Sequence, residues 1–408
     1  MVLRVRWTAC VLALLAVGLL TVGGGGAGAA AGCGGYPSTR DLANPLMLNT
    51  SPGTNPLNGA SFFVDGPKRG SAAKKIARLL GLHPGRFPIT YSWAQFRQRI
   101  ESGDLSRRLV HHGKLAFKVH QLEKIADQPE EQRFSLYSAG GGRGKVFGQV
   151  YKILCDNLQA DPGTIPVITT FFLYQAGYCE SRTQIVRNRP RFQRQVNEMA
   201  RGVGNHPAVM LLELDAIGSS KCMQKTGALG QWEKDIRYEI DKVAALPHVV
   251  AYIEGGYSDA EGPRYTARVL NAVGASKIRG FFTNDTHENW TIDEIKWGTR
   301  VSQLAHGAHF IVNTAQNGNG PKRHKHPGRN GNSDLCNPPG RALGPPPTTH
   351  TGYPLVDAFL WTGVPGNSSG HCRGGPASGV FWPRRAIGLA KRAKPRLGPG
   401  GPLLPVSY

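Results

Sequence analysis

Glu213 and Asp215 lie in the run Ala208-Val-Met-Leu-Leu-Glu-Leu-Asp-Ala-Ile217, which is apolar enough for one buried strand. Side chains alternate faces along a strand, so the two carboxylates are expected to point the same way. A buried, unpaired carboxylate costs several kcal/mol, so such a pair needs partners, a raised pKa or a chemical task. The chemistry open to paired carboxylates is general acid and base work. The competing reading is a structural acid tied to a neighbouring backbone.

The elements that would position these acids run from Pro166 onward, where apolar runs alternate with amphipathic stretches. Strands are expected at Val167–Tyr174, Ala208–Ile217, His248–Gly255, Ile278–Asn284, His309–Gln316 and Asp357–Trp361. Helical patterns fall near Arg187–Gly202, Gly230–Ala245, Arg264–Val273, Thr291–Ala305 and Pro383–Ala393. Continuously apolar strands alternating with helices imply a parallel sheet covered by helices. Ser61–Val64, followed by a helix over Ser71–Leu80, is the expected first strand. In such folds reactive groups gather at the carboxyl ends of the strands, which here carry Tyr178, Asp215, Glu254, Asn284 and Asn313.

The chain has 408 residues and a formal net charge of +22, which in an exported protein fits either an acidic surface or anionic polymer, rather than nucleic acid, or a solvated basic surface with no specific partner. Export is expected because Arg4 and Arg6 precede a short apolar run from Thr8 to Val22 and a small-residue stretch to Gly32. That run is too short for a stable membrane span. Cleavage falls near Ala29 to Ala31; Cys33 also permits a lipid-anchored mature end, although Ala30 three residues before it is not the leucine such sites favour. Of the seven cysteines, Cys10 is lost with the signal, leaving Cys33, Cys155, Cys179, Cys222, Cys336 and Cys372. An even number in an exported chain reads as disulfides, and with no Cys-x-x-Cys pair no metal or cofactor is expected.

Two loops resemble ligand motifs but fail on spacing. Gly140-Gly-Gly-Arg-Gly-Lys145 lacks the first glycine and the hydroxyl residue of a phosphate loop, and Lys322-Arg-His-Lys-His326 lacks a carboxylate or cysteine at ligand spacing. The expected organisation is a signal at 1–31, a lead-in at 32–54, one barrel domain at 55–394 with a divergent insertion at 82–152, and a disordered Gly/Pro-rich tail at 395–408.

Several segments together resemble glycoside hydrolase family six, the inverting endoglucanases and cellobiohydrolases. They are Leu212-Glu-Leu-Asp-Ala-Ile217, Ile278-Arg-Gly-Phe-Phe-Thr-Asn284, Gln316-Asn-Gly-Asn-Gly-Pro321, Cys336-Asn-Pro-Pro-Gly-Arg-Ala-Leu-Gly344, Thr351-Gly-Tyr-Pro-Leu-Val-Asp-Ala-Phe-Leu-Trp361 and Gly374-Gly-Pro-Ala-Ser-Gly379. The resemblance implies a distorted parallel β/α barrel of the seven-stranded type with surface loops over a cleft. It implies a secreted, monomeric hydrolase of β-glucan or a related polysaccharide, with Asp215 as proton donor. It pairs Cys179 with Cys222 and Cys336 with Cys372, each closing a loop worth roughly 4 kcal/mol in the chain-entropy model.

The chain departs from the family pattern where charge is concentrated. Tyr178 replaces the aspartate that supports the acid, and Ser369 replaces the candidate base in Pro365-Gly-Asn-Ser-Ser-Gly370, where Asn367 also replaces a glutamate. Gly363 stands for a lysine, Tyr257 for a cleft histidine, and Asn313 with Gln316 for an Asp–Arg pair; Arg133 or Phe134 stands for a tryptophan. Asn284, Glu254, Tyr257, Asn313, Gly363 and Asn367 are the expected substrate-binding positions, and Glu180, Glu254, Asp259 and Glu261 the candidates for a relocated base. Two readings stand beside β-glucan hydrolysis: a hydrolase of a different polysaccharide, an anionic one included, and a non-catalytic glycan-binding protein.

Overall fold

A computed structural model of the chain describes residues 53–135, 144–173, 180–321, 335–406 and 408. The expected signal, Cys33, Tyr178, Cys179, residues 140–143 of the glycine-rich loop and the basic run 322–326 lie outside the described residues.

The apolar runs form strands because both their faces are buried. In β3 (Ala208–Leu212), Ala208, Met210 and Leu212 pack under the covering helices while Val209 and Leu211 fill the interior of the sheet's curl. Only a parallel sheet covered on both faces leaves no polar side to such a strand. The other strands are β1 (Gln132–Ser135), β2 (Val167–Phe171), β4 (Val249–Glu254), β5 (Gly280–Thr283), β6 (His309–Asn313) and β7 (Val356–Leu360). Among the described residues these seven pair in chain order, every neighbour parallel, to give the curled sheet of a distorted parallel β/α barrel.

Helices α1 (Ser71–Leu79), α2 (Trp93–Glu101), α3 (Gly103–His111) and α4 (Gly113–Ala126) precede the sheet. The helices α5 (Lys145–Ala160), α6 (Arg182–Val203), α7 (Ala216–Lys225), α8 (Leu229–Ala244), α9 (Pro263–Val273) and α10 (Thr291–Leu304) alternate with the strands, and α11 (Pro383–Lys391) follows them. Among the described residues no helix is long and apolar enough to cross a membrane.

Three sequence expectations are corrected. Ser61–Val64 is not a strand of the sheet; Phe62 makes a single bridge to Ile165, and β1 comes from the region read as an insertion. Four residues with only Phe134 buried give too weak a pattern to be seen in sequence. The same region supplies α2 to α4, with α2 closed by a capping box between Ser92 and Gln95. Val119, Leu122, Ile125 and Ala126 of α4 pack against α1 and α11 residues in a second core. The tail after Lys394 is not loose: Ile292 N donates to Leu397 O, and the Tyr408 hydroxyl donates to Gly344 O at 2.7 Å.

Candidate active site

β3 stops at Leu212, and the two acids that follow leave the strand. Glu213 and Asp215 both take left-handed backbone angles, φ 47° and 57°, and Asp215 is the residue before the first turn of α7. Left-handed residues other than glycine are costly and gather at functional sites. The expectation that strand alternation aims both carboxylates together is therefore corrected: a turn separates them.

Glu213 is buried and turns back to the end of β2. Its carboxylate accepts from Phe172 N at 2.9 Å and Leu173 N at 2.9 Å, while Thr170 Oγ1 bridges Glu213 N and Glu239. Burial pushes Glu213 up to about 7 against those backbone donors. Glu239 is pushed well above the carboxylate range, first by burial and then by the charge of Glu213. Burial therefore favours the protonated form of both carboxyls. The structural reading of a strand-end acid fits Glu213.

A raised folded pKa stabilises below the unfolded value, about 4.3 for a glutamate, and that stability is lost as pH rises through the folded value. Glu239→Gln keeps the size and the oxygen that accepts from Thr170, and removes the titration. Its melting temperature relative to wild type is expected to rise between about pH 5 and about pH 8. A difference equal at both pH values would show that the folded state does not raise the proton affinity of Glu239.

Asp215, half-buried, points into the site, where Tyr257 Oη donates to its Oδ1 at 2.7 Å. Tyr257 is buried, and Thr286 Oγ1 donates to its hydroxyl at 3.1 Å. The ring of His287 stacks on Tyr257 at 3.7 Å with 5° between planes, and His287 Nδ1 lies 2.8 Å from Asp259 Oδ1. The aim of Asp215 is thus fixed by residues from the ends of β4 and β5.

Glu254 is fully buried at the end of β4 and accepts from Ile217 N at 2.8 Å and Gly256 N at 2.6 Å. Burial, then the charge of Asp215, raises its pKa well above the ordinary value. Its carboxyl anchors the turn that carries Asp215 and does not face the site. Asn284 and Asn313 are likewise buried: Asn284 Nδ2 donates to Asn313 O at 2.9 Å, and Asn313 Nδ2 donates to Asn284 O and Asp285 O, both at 3.0 Å. These two expected substrate-binding residues lace the ends of β5 and β6 together.

The amides replacing the family's charge pair do not pair with each other. Gln316 Oε1 accepts from Arg385 Nη2 at 3.0 Å, and Arg385 makes a buried ion pair with Glu288 at 3.2 Å. Of the other base candidates, Glu261 is ion-paired to Lys221, Glu180 is buried near Asn188, and Asp259 also accepts from Asn289 Nδ2 at 2.7 Å.

The loop Pro365–Gly370 is held by Asn337, whose Nδ2 donates to Gly370 O at 2.8 Å and whose Oδ1 accepts from Ser369 N at 2.8 Å. Ser369 itself is exposed, and Asn367 N closes a turn onto Val364 O at 3.0 Å. The disulfide Cys336–Cys372 brackets this loop. Cys155 and Cys222 are also disulfide-bonded.

Asp285 is the residue that reading the strands missed. It directly follows Asn284, is partly exposed, and accepts from Thr362 Oγ1 at 2.9 Å. Burial first, then the charges of Asp215 and Glu131, push it up to about 7 against Arg133 and the Thr362 hydrogen bond. Arg133, from β1, pairs with Glu131 at 2.9 Å and donates to Thr362 O at 3.4 Å. A Cβ on Gly363 would come within 3.7 Å of Arg133 Nη2, so the guanidinium lies where a side chain at 363 would begin. The polar run Asn284-Asp-Thr-His-Glu-Asn289 was the available signal, because the strand-end rule extends to the residues just past the strand.

A curled parallel sheet with carboxyls at successive strand ends defines a distorted parallel β/α barrel with an acidic strand-end site. The glycosyl hydrolases family 6 model matches residues 179–393, more than half of the chain, and the chain belongs to that family. It is 31% identical over 204 residues to endoglucanase A of Cellulomonas fimi, a match covering 50% of this chain and 42% of that protein. With endoglucanase A of Thermobispora bispora it shares 29% identity over 278 residues, covering 67% of this chain and 57% of that one. The chain thus spans about half the length of these curated relatives. The structure of the endoglucanase Cel6 from Mycobacterium tuberculosis, in complex with methyl-cellobiosyl-4-deoxy-4-thio-β-D-cellobioside, superposes with a TM-score of 0.64 at 26% identity. That likeness covers 83% of this chain and 99% of the other.

Proposed function

We propose that the protein is a secreted hydrolase of β-1,4-glucan, acting with inversion, in which Asp215 protonates the departing glycosidic oxygen. The observation that carries the reading is the Asp215 carboxyl, half-buried at the end of β3 and aimed by the 2.7 Å hydrogen bond from Tyr257. A general acid must be fixed within hydrogen-bonding reach of its target, and Tyr257, itself buttressed by Thr286 and His287, fixes this one. Kinship to endoglucanases supports β-glucan as the substrate. Cys222 in a disulfide supports the Cys179–Cys222 pairing and an oxidising compartment.

A second reading, glycan binding without turnover, draws on Ser369, since the loop that carries the family's candidate base here presents an exposed serine. The net charge of +22 is what would favour an anionic polysaccharide over neutral β-glucan. The deciding experiment is reducing-sugar release by the pure protein from a panel of soluble neutral and anionic polysaccharides. Release from β-1,4-glucan is expected; binding without release would put the second reading first.

A further inference from the structure

We infer that Asp285 is the base of this site, activating the water that attacks the anomeric carbon in place of the carboxylate missing at Ser369. This rests on the hydrolase reading above.

The carboxyl of Asp285 is built into the site from three strand ends. Asn284 before it takes a left-handed turn, φ 69°, and Asn313 Nδ2 holds the carbonyls of both residues. Thr362, just past β7, orients the carboxylate through its hydroxyl while its own N donates to Asn313 Oδ1 at 3.1 Å. Asp285 and Asp215 are not hydrogen-bonded to each other but are linked through Tyr257 and Thr286, by hydrogen bonds of 2.7 and 3.1 Å and one peptide step. The two carboxyls are close enough for the charge of Asp215 to act on Asp285, yet no hydrogen bond joins them, and an inverting pair needs a water between its carboxyls.

The charge lost elsewhere returns here. Gly363 replaces a lysine and Ser369 an aspartate, while Arg133 and Asp285 place one cation and one anion around Thr362. A carboxylate offers about four lone-pair sites, and the single hydrogen bond from Thr362, with partial exposure, leaves capacity for a water. A proton affinity near neutral suits a base that must take a proton from water and release it each cycle.

In the step, Asp285 takes a proton from water as the water oxygen bonds to the anomeric carbon. The glycosidic C–O bond breaks, the leaving oxygen takes the proton of Asp215, and the product anomer is inverted. No other reactant is needed.

The test compares Asp285→Asn and Asp215→Asn on carboxymethylcellulose and on 2,4-dinitrophenyl β-cellobioside, with and without azide. Asp285→Asn is expected to lower kcat by roughly 100-fold or more on both substrates with little change in KM. Azide, which needs no deprotonation, should restore turnover and yield the α-glycosyl azide. Asp215→Asn should show the opposite pattern, recovering on the dinitrophenyl substrate and gaining nothing from azide. Thr362→Val, which removes the orienting hydroxyl without altering charge, should lower kcat roughly fivefold.

Wild-type turnover undiminished in Asp285→Asn overturns the assignment alone, as does a folded Asp285→Asn that is slow and gains nothing from azide. If Asp285→Asn does not fold, wild-type kcat in Thr362→Val overturns it. A wild-type protein that hydrolyses neither substrate overturns the glucanase reading and this assignment with it.

Discussion

Asp215→Asn is expected to lower turnover of soluble β-1,4-glucan by about 10²–10⁴-fold, with the melting temperature close to that of wild type. Asparagine keeps the size and the oxygen that accepts from Tyr257, so the turn at the start of α7 should persist. The stability of that turn rests on Glu254, which accepts from Ile217 N and Gly256 N, and not on the carboxylate of Asp215. Asparagine cannot give a proton to a leaving alkoxide, so the loss should fall on kcat rather than on KM. Steady-state kinetics with a thermal melt checks both halves. Undiminished turnover would remove Asp215 from the mechanism; collapse of the melt would mean that its charge holds the turn after all.

The part of the site legible in the sequence was the part set by strand ends. Asp215 stands beyond an apolar run whose two faces are both buried, and that pattern survives without knowledge of the fold. What failed was the direction of the neighbouring side chain. A turn built from two left-handed residues leaves no periodicity to read, so the pattern alone could not separate Glu213 from Asp215, and only the family resemblance did. Asn284 and Asn313 were rightly placed at strand ends, yet their hydrogen bonds run to backbone carbonyls of the next strand, which only the register fixes. Arg133 and Asp285 lie far apart in sequence and meet because the curl of the sheet brings β1 alongside the residues after β7. β1 itself, four residues long, gave no pattern from which that meeting could be inferred.

At the opposite ends of the strands a second charged cluster carries stability rather than chemistry, and Asp357→Asn there is expected to cost about 3–5 kcal/mol. Asp357, at the start of β7, is 1% exposed. Its Oδ2 accepts from Arg279 Nε at 2.7 Å and from Tyr252 Oη at 2.8 Å, and its Oδ1 from Arg279 Nη2 at 3.0 Å. Nδ1 of His309 lies 3.0 Å from the same Oδ1. Through one carboxylate the cluster ties β7 to β4, to the residue before β5 and to the start of β6, while Asn55 Nδ2 donates to the Asp357 carbonyl at 2.6 Å. Burial works against the charge, but the hydrogen bonds of His309 and Arg279, the guanidinium and Tyr252 outweigh it and hold the carboxyl below its usual range. A depressed folded pKa gives stability that is present above the unfolded value, about 3.9 for an aspartate, and is lost as pH falls through the folded one. The amide introduced by Asp357→Asn would keep the shape but leave Arg279 without its charge partner. The gap between wild type and variant in chemical denaturation should therefore be full near neutral pH and narrow below about pH 4. A loss under about 1 kcal/mol at neutral pH, the range of exposed pairs, would show that water already screens this cluster. Catalysis by the variant at temperatures well below its melt should be unchanged, because no residue of the cluster reaches the carboxyl ends of the strands where Asp215 and Asp285 stand.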